Sequence, residues 1–115
     1  MPSKGEGDQS VVYYLKVVDK HCNALGNMHG GCIATLLDDV TSFSMRDGSM
    51  SVSVDLTVSY LRAIPNNSEI HVSGTLVRKG RSLAFMTGKI TCAKHPSLVY
   101  ASCAHTKYIM GASKL

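Results

Sequence analysis

Hydrophobic and polar positions change their period twice along the 115 residues. Residues 11–18, rich in valine and tyrosine, predict a strand, and the polar stretch 19–28, holding Asn23 and Gly26, predicts a loop. Over residues 30–45 the spacing approaches four: Ile33, Leu36, Leu37, Val40 and Ser44 share one stripe, which predicts a helix turned toward a core. Arg46-Asp47-Gly48 is the glycine punctuation expected at its end. The period then drops to two. Val52, Val54, Leu56, Val58 and Tyr60 alternate with Ser51, Ser53, Asp55, Thr57 and Ser59, predicting a long strand with one apolar face. Pro65-Asn66-Asn67 breaks it, residues 69–79 resume it, Gly80 turns, and residues 82–93 and 98–109 complete the set.

Strand, helix, then four strands on short connections is an α+β order that predicts a five-stranded antiparallel sheet. One helix covers one face of such a sheet. The other face or a sheet edge is left for a partner, so a homodimer is expected. The length suits one domain, residues 11–110, between a flexible arm (1–10) and an exposed tail (111–115).

No stretch approaches the roughly 18 apolar residues of a membrane span, and the first ten residues lack a signal-peptide core, so a soluble, non-exported protein is expected. Cys22, Cys32, Cys92 and Cys103 match no zinc spacing and read as free thiols in a reducing compartment. His21, His71, His95 and His105 show no paired spacing, so neither a metal nor another cofactor is expected. The net charge of +4 comes without the arginine density and interleaved aromatics of a nucleic-acid surface, and suits a phosphate-bearing small molecule. The last three residues, Ser113-Lys114-Leu115, spell the address read by the peroxisomal import receptor of eukaryotes. The expected location is the peroxisome matrix, otherwise the cytoplasm.

The densest chemistry lies where the loop meets the helix. In His29-Gly30-Gly31 the glycines let a backbone approach a ligand closely, and a helix starting there aims unpaired N–H groups at whatever lies ahead. Such donors suit a carbonyl oxygen on which negative charge develops. Asp38 is the candidate carboxylate, as base on a water or as nucleophile, with Asp39 its rival nearer the core stripe. His29 is a weaker base candidate, since a histidine ahead of a helix also serves to hold the turn. Asn23 either orients a water or anchors its loop. Arg78, Lys79 and Arg81 gather positive charge around Gly80, as a phosphate clamp or a solvated hairpin tip. Gly30 and Asp38 are eight residues apart, about 12 Å along a helix at about 1.5 Å per residue, too far to touch one carbonyl carbon. Two chains must supply them if they form one site.

Asn23, Gly26, His29-Gly30-Gly31, Ala34, Leu36 and Asp38, with Val52-Ser53-Val54-Asp55, Lys79-Gly80-Arg81-Ser82-Leu83-Ala84-Phe85 and His105-Thr106-Lys107, resemble the hotdog-fold acyl-CoA thioesterases. The likeness runs from about Val11 to Tyr108, and extends to the small eukaryotic acyl-CoA thioesterases and the bacterial phenylacetate-pathway group. It implies a sheet wrapped around one long helix, paired into a dimer with continuous sheets and commonly paired again into a tetramer. It also implies that Gly30 polarises the thioester carbonyl, that Asp38 acts from the other subunit, and that Asn23 and Ser53 hold the water or the leaving thiol. His29 and Gly31, with Arg78, Lys79, Gly80, Arg81 and Ser82, are expected to contact the substrate. The resemblance departs at the N-terminus, where relatives carry a longer segment, often a helix, ahead of the first strand.

The expected activity is hydrolysis of acyl-CoA to free acid and CoA. One alternative is a non-catalytic acyl-CoA binding module, against which a retained Asp38 argues, because an anionic ligand gains nothing from a nearby carboxylate. Another is an enoyl-CoA hydratase, which needs an Asp/His pair that the spacing of His29 and Asp38 does not offer.

Overall fold

The computed structural model describes residues 10–110; the Ser113-Lys114-Leu115 address and all of the arm except Ser10 lie outside them. The strands are β1 (Ser10–Lys16), β2 (Ser51–Tyr60), β3 (Glu69–Lys79), β4 (Leu83–Cys92) and β5 (Val99–Ile109), with the helix α1 (Gly30–Phe43) between β1 and β2 and a single 3-10 turn at Asp19–His21. They form one antiparallel sheet in the order β1-β3-β4-β5-β2, so the segment carrying α1 crosses from one edge of the sheet to the other. This is the hotdog architecture, a sheet wrapped around a single long helix. No helix among the described residues is long and apolar enough to cross a membrane.

The helix buries Ile33, Leu37 and Val40 against Ile70, Val72, Ile90, Ala101 and Cys103 of the sheet, and a smaller cluster of Met45, Ala84, Met86 and Ile109 closes its C-terminal end. Leu36, expected on the core stripe, is only half-buried, while Thr41 is fully buried. Two glycines set how close the helix sits. Gly74 and Gly88 are register partners on β3 and β4, and a Cβ on Gly74 would lie 2.7 Å from the Val40 carbonyl oxygen, one on Gly88 2.7 Å from Thr41 Cγ2. Without side chains there, the turn from Asp38 to Thr41 rests directly on the sheet.

Two expectations need correction. The helix stops two residues early, and its ending is not carried by Gly48 alone: the N–H groups of Ser44, Met45 and Arg46 bond three residues back, and Arg46 takes a left-handed φ of 61° ahead of Gly48 at 72°. Tightening to i→i−3 bonds uses up the last turn before the glycine is reached. In β2 the even alternation does not keep one apolar face, because Ser53 pairs with Lys107 and Asp55 with Thr106, leaving Val54 as a bulge. The extra residue flips the side-chain parity on either side of it. Val52 and Val54 therefore stand 49% and 60% exposed, while Ser53 turns to the helix side.

Candidate active site

The bulge in β2 makes the site. Residues opposite one another on neighbouring antiparallel strands share a face, and Ala101, Cys103, His105, Lys107 and Ile109 of β5 all face the helix. Ser53, opposite Lys107, joins that face, and its hydroxyl lies 2.8 Å from His105 Nε2. Asp38 comes down from α1 onto the same nitrogen, its Oδ1 3.7 Å away. Sequence periodicity sets Ser53 on the polar face of its strand and cannot bring it to Asp38; the structure brings both to one imidazole.

His105 is fully buried, and its other nitrogen, Nδ1, is 2.7 Å from the Thr41 hydroxyl. That hydroxyl donates its single proton to backbone carbonyls, Leu37 O at 2.7 Å and Asp38 O at 3.1 Å, and so accepts from Nδ1–H. The neutral ring is thereby left with its Nε2 lone pair facing Ser53 and Asp38. Burial pushes the imidazole pKa below its ordinary value, opposed by the Asp38 charge and reinforced by the Lys107 charge. This is not a Ser-His-Asp relay. There the acid holds the nitrogen opposite the serine, whereas here Asp38 and Ser53 share Nε2 and Thr41 holds Nδ1.

Between the two aspartates burial decides. Asp38 is half-buried, with 43% of its side chain exposed, in reach of both His105 and water; Asp39 points outward. The core side of the helix runs through Leu37, Val40, Thr41 and Ser44 rather than toward Asp39. Cys103, two residues before His105, is not a rival nucleophile, since burial pushes its thiol up to about 11.

At the helix start, His29 is the N-cap but its side chain makes no capping bond, and Gly30, the first helical residue, has no acceptor four residues back for its N–H. His29 therefore does not hold the turn through its ring; its backbone does, donating to His21 O at 2.9 Å. The Tyr60 hydroxyl donates to Gly30 O at 2.9 Å, and a Cβ on Gly30 would meet only the Tyr60 ring, at 3.5 Å; one on Gly31 would meet nothing within 4 Å. Among the described residues nothing demands glycine at either place, and the space beside both is clear. Asn23 anchors its loop, accepting from the N–H groups of Leu25 and Asn27 at 3.0 and 3.2 Å. Its Oδ1 is thus committed, and only its amide donors remain for a ligand.

The cations around Gly80 divide. A second bulge, between Leu76 and Arg78, sets Arg78 opposite Phe85 and Lys79 opposite buried Ala84, so the two leave opposite faces of the sheet. Lys79 is ion-paired with Asp47 and donates to the Ser49 hydroxyl, while Arg78, Gly80, Arg81 and Ser82 are exposed around the hairpin. Among the described residues, Arg78 and Arg81 are left as the cations of the expected clamp without an ion pair.

Sequence reading passed over His105, Thr41 and Lys107 as site residues. His105 and Lys107 stand two apart on one strand face, but only knowledge of which helix turn lies above that strand joins them to Asp38.

A helix N-terminus with free donors and, farther along the same helix, a carboxylate set beside a serine and a buried histidine define a hotdog protein fitted to handle a thioester. The sequence pattern of the thioesterase superfamily matches residues 25–99, and the chain belongs to that family. It is similar to human acyl-coenzyme A thioesterase 13, 30% identical over 102 residues that cover 86% of this chain and 72% of the other. The crystal structure of zebrafish thioesterase superfamily member 2 matches with a TM-score of 0.83 at 32% identity, covering 87% of this chain and 74% of that one. A Streptococcus mutans UA159 protein bound to acetyl CoA matches with 0.83 at 25% identity, covering 92% and 85%.

Proposed function

We propose that the protein hydrolyses acyl-CoA thioesters to the free acid and CoA, at a site shared between two copies of the chain. The observation that carries this is the convergence of Asp38 and Ser53 on the buried His105, on the helix whose uncapped N-terminus begins at Gly30. The Gly30 N–H of one chain holds the thioester oxygen while Asp38 of the other draws a proton from water. The water oxygen bonds to the acyl carbon, the C–S bond breaks, and the sulfur leaves with a proton as CoA thiol. Ser53, held by His105, keeps its hydroxyl oxygen in place for the water, and Arg78 and Arg81 meet CoA phosphates.

Pairing of two chains is supported by the outer edge of β2, the last strand of the sheet order, which is unpaired among the described residues and where Val52, Val54 and Tyr60 are exposed. An unpaired strand edge bearing apolar side chains is suited to a second copy of itself, which would continue the sheet.

Release of free thiol from a panel of acyl-CoAs tests the activity. Asp38→Ala should lower kcat to background with little change in CoA binding, and full turnover in that variant would sink the assignment. CoA binding by the wild type without thiol release from any thioester would establish the binding module instead. The Asp38–His105 pair also meets the requirement of an enoyl-CoA hydratase. Loss of the enoyl absorbance without thiol release would identify that reaction.

A further inference from the structure

One buried charge remains outside this account. Lys107 is only 9% exposed, and its Nζ donates to the Ser42 hydroxyl at 2.8 Å; among the described residues no carboxylate lies within ion-pairing distance of it. An ammonium withdrawn from water with one neutral acceptor retains unmet capacity for an anion. It lines a pocket of about 520 Å³ at the C-terminal end of α1, with an apolar wall from Phe43, Met45, Met50, Val52 and Met110 and a polar one from Ser42, Arg46, Asp47, Ser49 and Ser51. That volume is within the range of small-molecule sites.

Two parallel ladders of residues lead from the pocket lining, at Ser42 and Lys107, to the reacting groups. Asp38 and Ser42 are one turn apart on the helix, about 6 Å at about 1.5 Å per residue, and the Ser42 hydroxyl donates to the Asp38 carbonyl at 2.8 Å. His105 and Lys107 are two residues apart on the same face of β5, about 6.8 Å. Asp38 meets His105 on one rung, and Ser42 meets Lys107 on the next.

The geometry points to Lys107 as the receptor for a carboxylate at the far end of the acyl group, making the preferred substrate the mono-CoA thioester of a short dicarboxylic acid. This rests on the hydrolase reading above and specifies its substrate. An offset of about 6 to 7 Å between rungs matches an extended acyl chain of about six carbons, given a C–C bond of about 1.5 Å that advances about 1.25 Å along the zigzag. The methylenes lie against the apolar wall, and the terminal carboxylate takes the donors of Lys107 that Ser42 leaves over. The same anion chemistry could come from a CoA phosphate, and equal chain lengths separate the two sources.

Steady-state hydrolysis of adipoyl-CoA and hexanoyl-CoA, equal in length and differing in the terminal carboxylate, provides the test. For the wild type, kcat/KM for adipoyl-CoA should equal or exceed that for hexanoyl-CoA. Lys107→Met should lower the adipoyl-to-hexanoyl ratio by about 10- to 100-fold, mostly through KM, and Lys107→Arg should restore part of it. A ratio unmoved by Lys107→Met, or equal losses on both thioesters as expected of a phosphate contact or a structural role, would overturn the inference. Should the methionine variant fail to fold, inhibition of the wild type decides: adipate must compete more strongly than hexanoate, and the reverse order overturns it. Absence of thiol release from any acyl-CoA would refute the hydrolase reading itself, which is a distinguishable result.

Discussion

At the scale of single residues, two groups have separable roles. Gly30 contributes a backbone N–H at the first helical position, where proline is tolerated because that N–H has no intrahelical partner. His29 ahead of it is extended, with φ −59° and ψ 139°, as a residue before proline must be. Gly30→Pro should therefore fold and lower kcat by about two to three orders of magnitude, the usual loss of one oxyanion donor. Retained kcat in a folded Gly30→Pro variant would remove Gly30 from the chemistry. His105 makes a prediction about pH. Its folded-state pKa lies below the unfolded value of about 6.5, so above that value both states hold a neutral ring and stability is unaffected. As pH falls from there toward the folded-state value, the unfolded chain binds a proton that the folded chain does not, and stability drops by up to about 1.4 kcal/mol per pH unit. Urea unfolding at pH 7 and pH 5 should show a smaller acid loss in His105→Asn than in the wild type; equal losses would mean that the buried ring is not the sensor.

At the scale of elements, the helix-on-sheet contact is the feature most exposed to mutation. Gly74→Val would drive a branched side chain into the Val40 carbonyl, which belongs to the helix backbone and cannot rotate away. The expected cost is about 1 to 3 kcal/mol, with loss of turnover as Asp38 and Thr41 lift from His105; a variant with unchanged unfolding midpoint and activity would show that the close approach is not needed. The elements themselves were legible in the sequence. Alternation and turn residues predicted β3 to the residue, and the apolar stripe with His29-Gly30-Gly31 located the start of α1. What could not be read was where alternation is interrupted. Ser51 to Ser59 alternates polar and apolar across the Val54 bulge without a break, because the exposed edge of β2 accepts valine as readily as a core face does. Ser53 was therefore a site residue by resemblance alone, and its inward turn belongs to strand pairing rather than to composition.

At the scale of the whole molecule, Gly30 and Asp38 stay on one unbroken helix, so the chain cannot bring them to one carbonyl by itself. That separation was legible from sequence number alone, through the helical rise. The middle of the sheet's outer face is polar, with Ser73, Thr75, Thr87, Lys89 and Ser102 around a shallow pocket; apolar side chains are exposed toward both edges, Val12 and Tyr14 on β1 and Val52 and Val54 on β2, and the β2 edge carries Ser53 of the candidate site. The β2 edge is therefore the surface we assign to the second chain. The central claim, one site made by two chains, is tested most directly by mixing two inactive variants, Gly30→Pro and Asp38→Ala, unfolding and refolding them together, and measuring thiol release. If each site takes Gly30 from one chain and Asp38 from the other, every mixed dimer regains one intact site, and the refolded mixture recovers about a quarter of wild-type activity. Activity no higher than that of either variant alone, with mixed dimers demonstrated by mass, would contradict it.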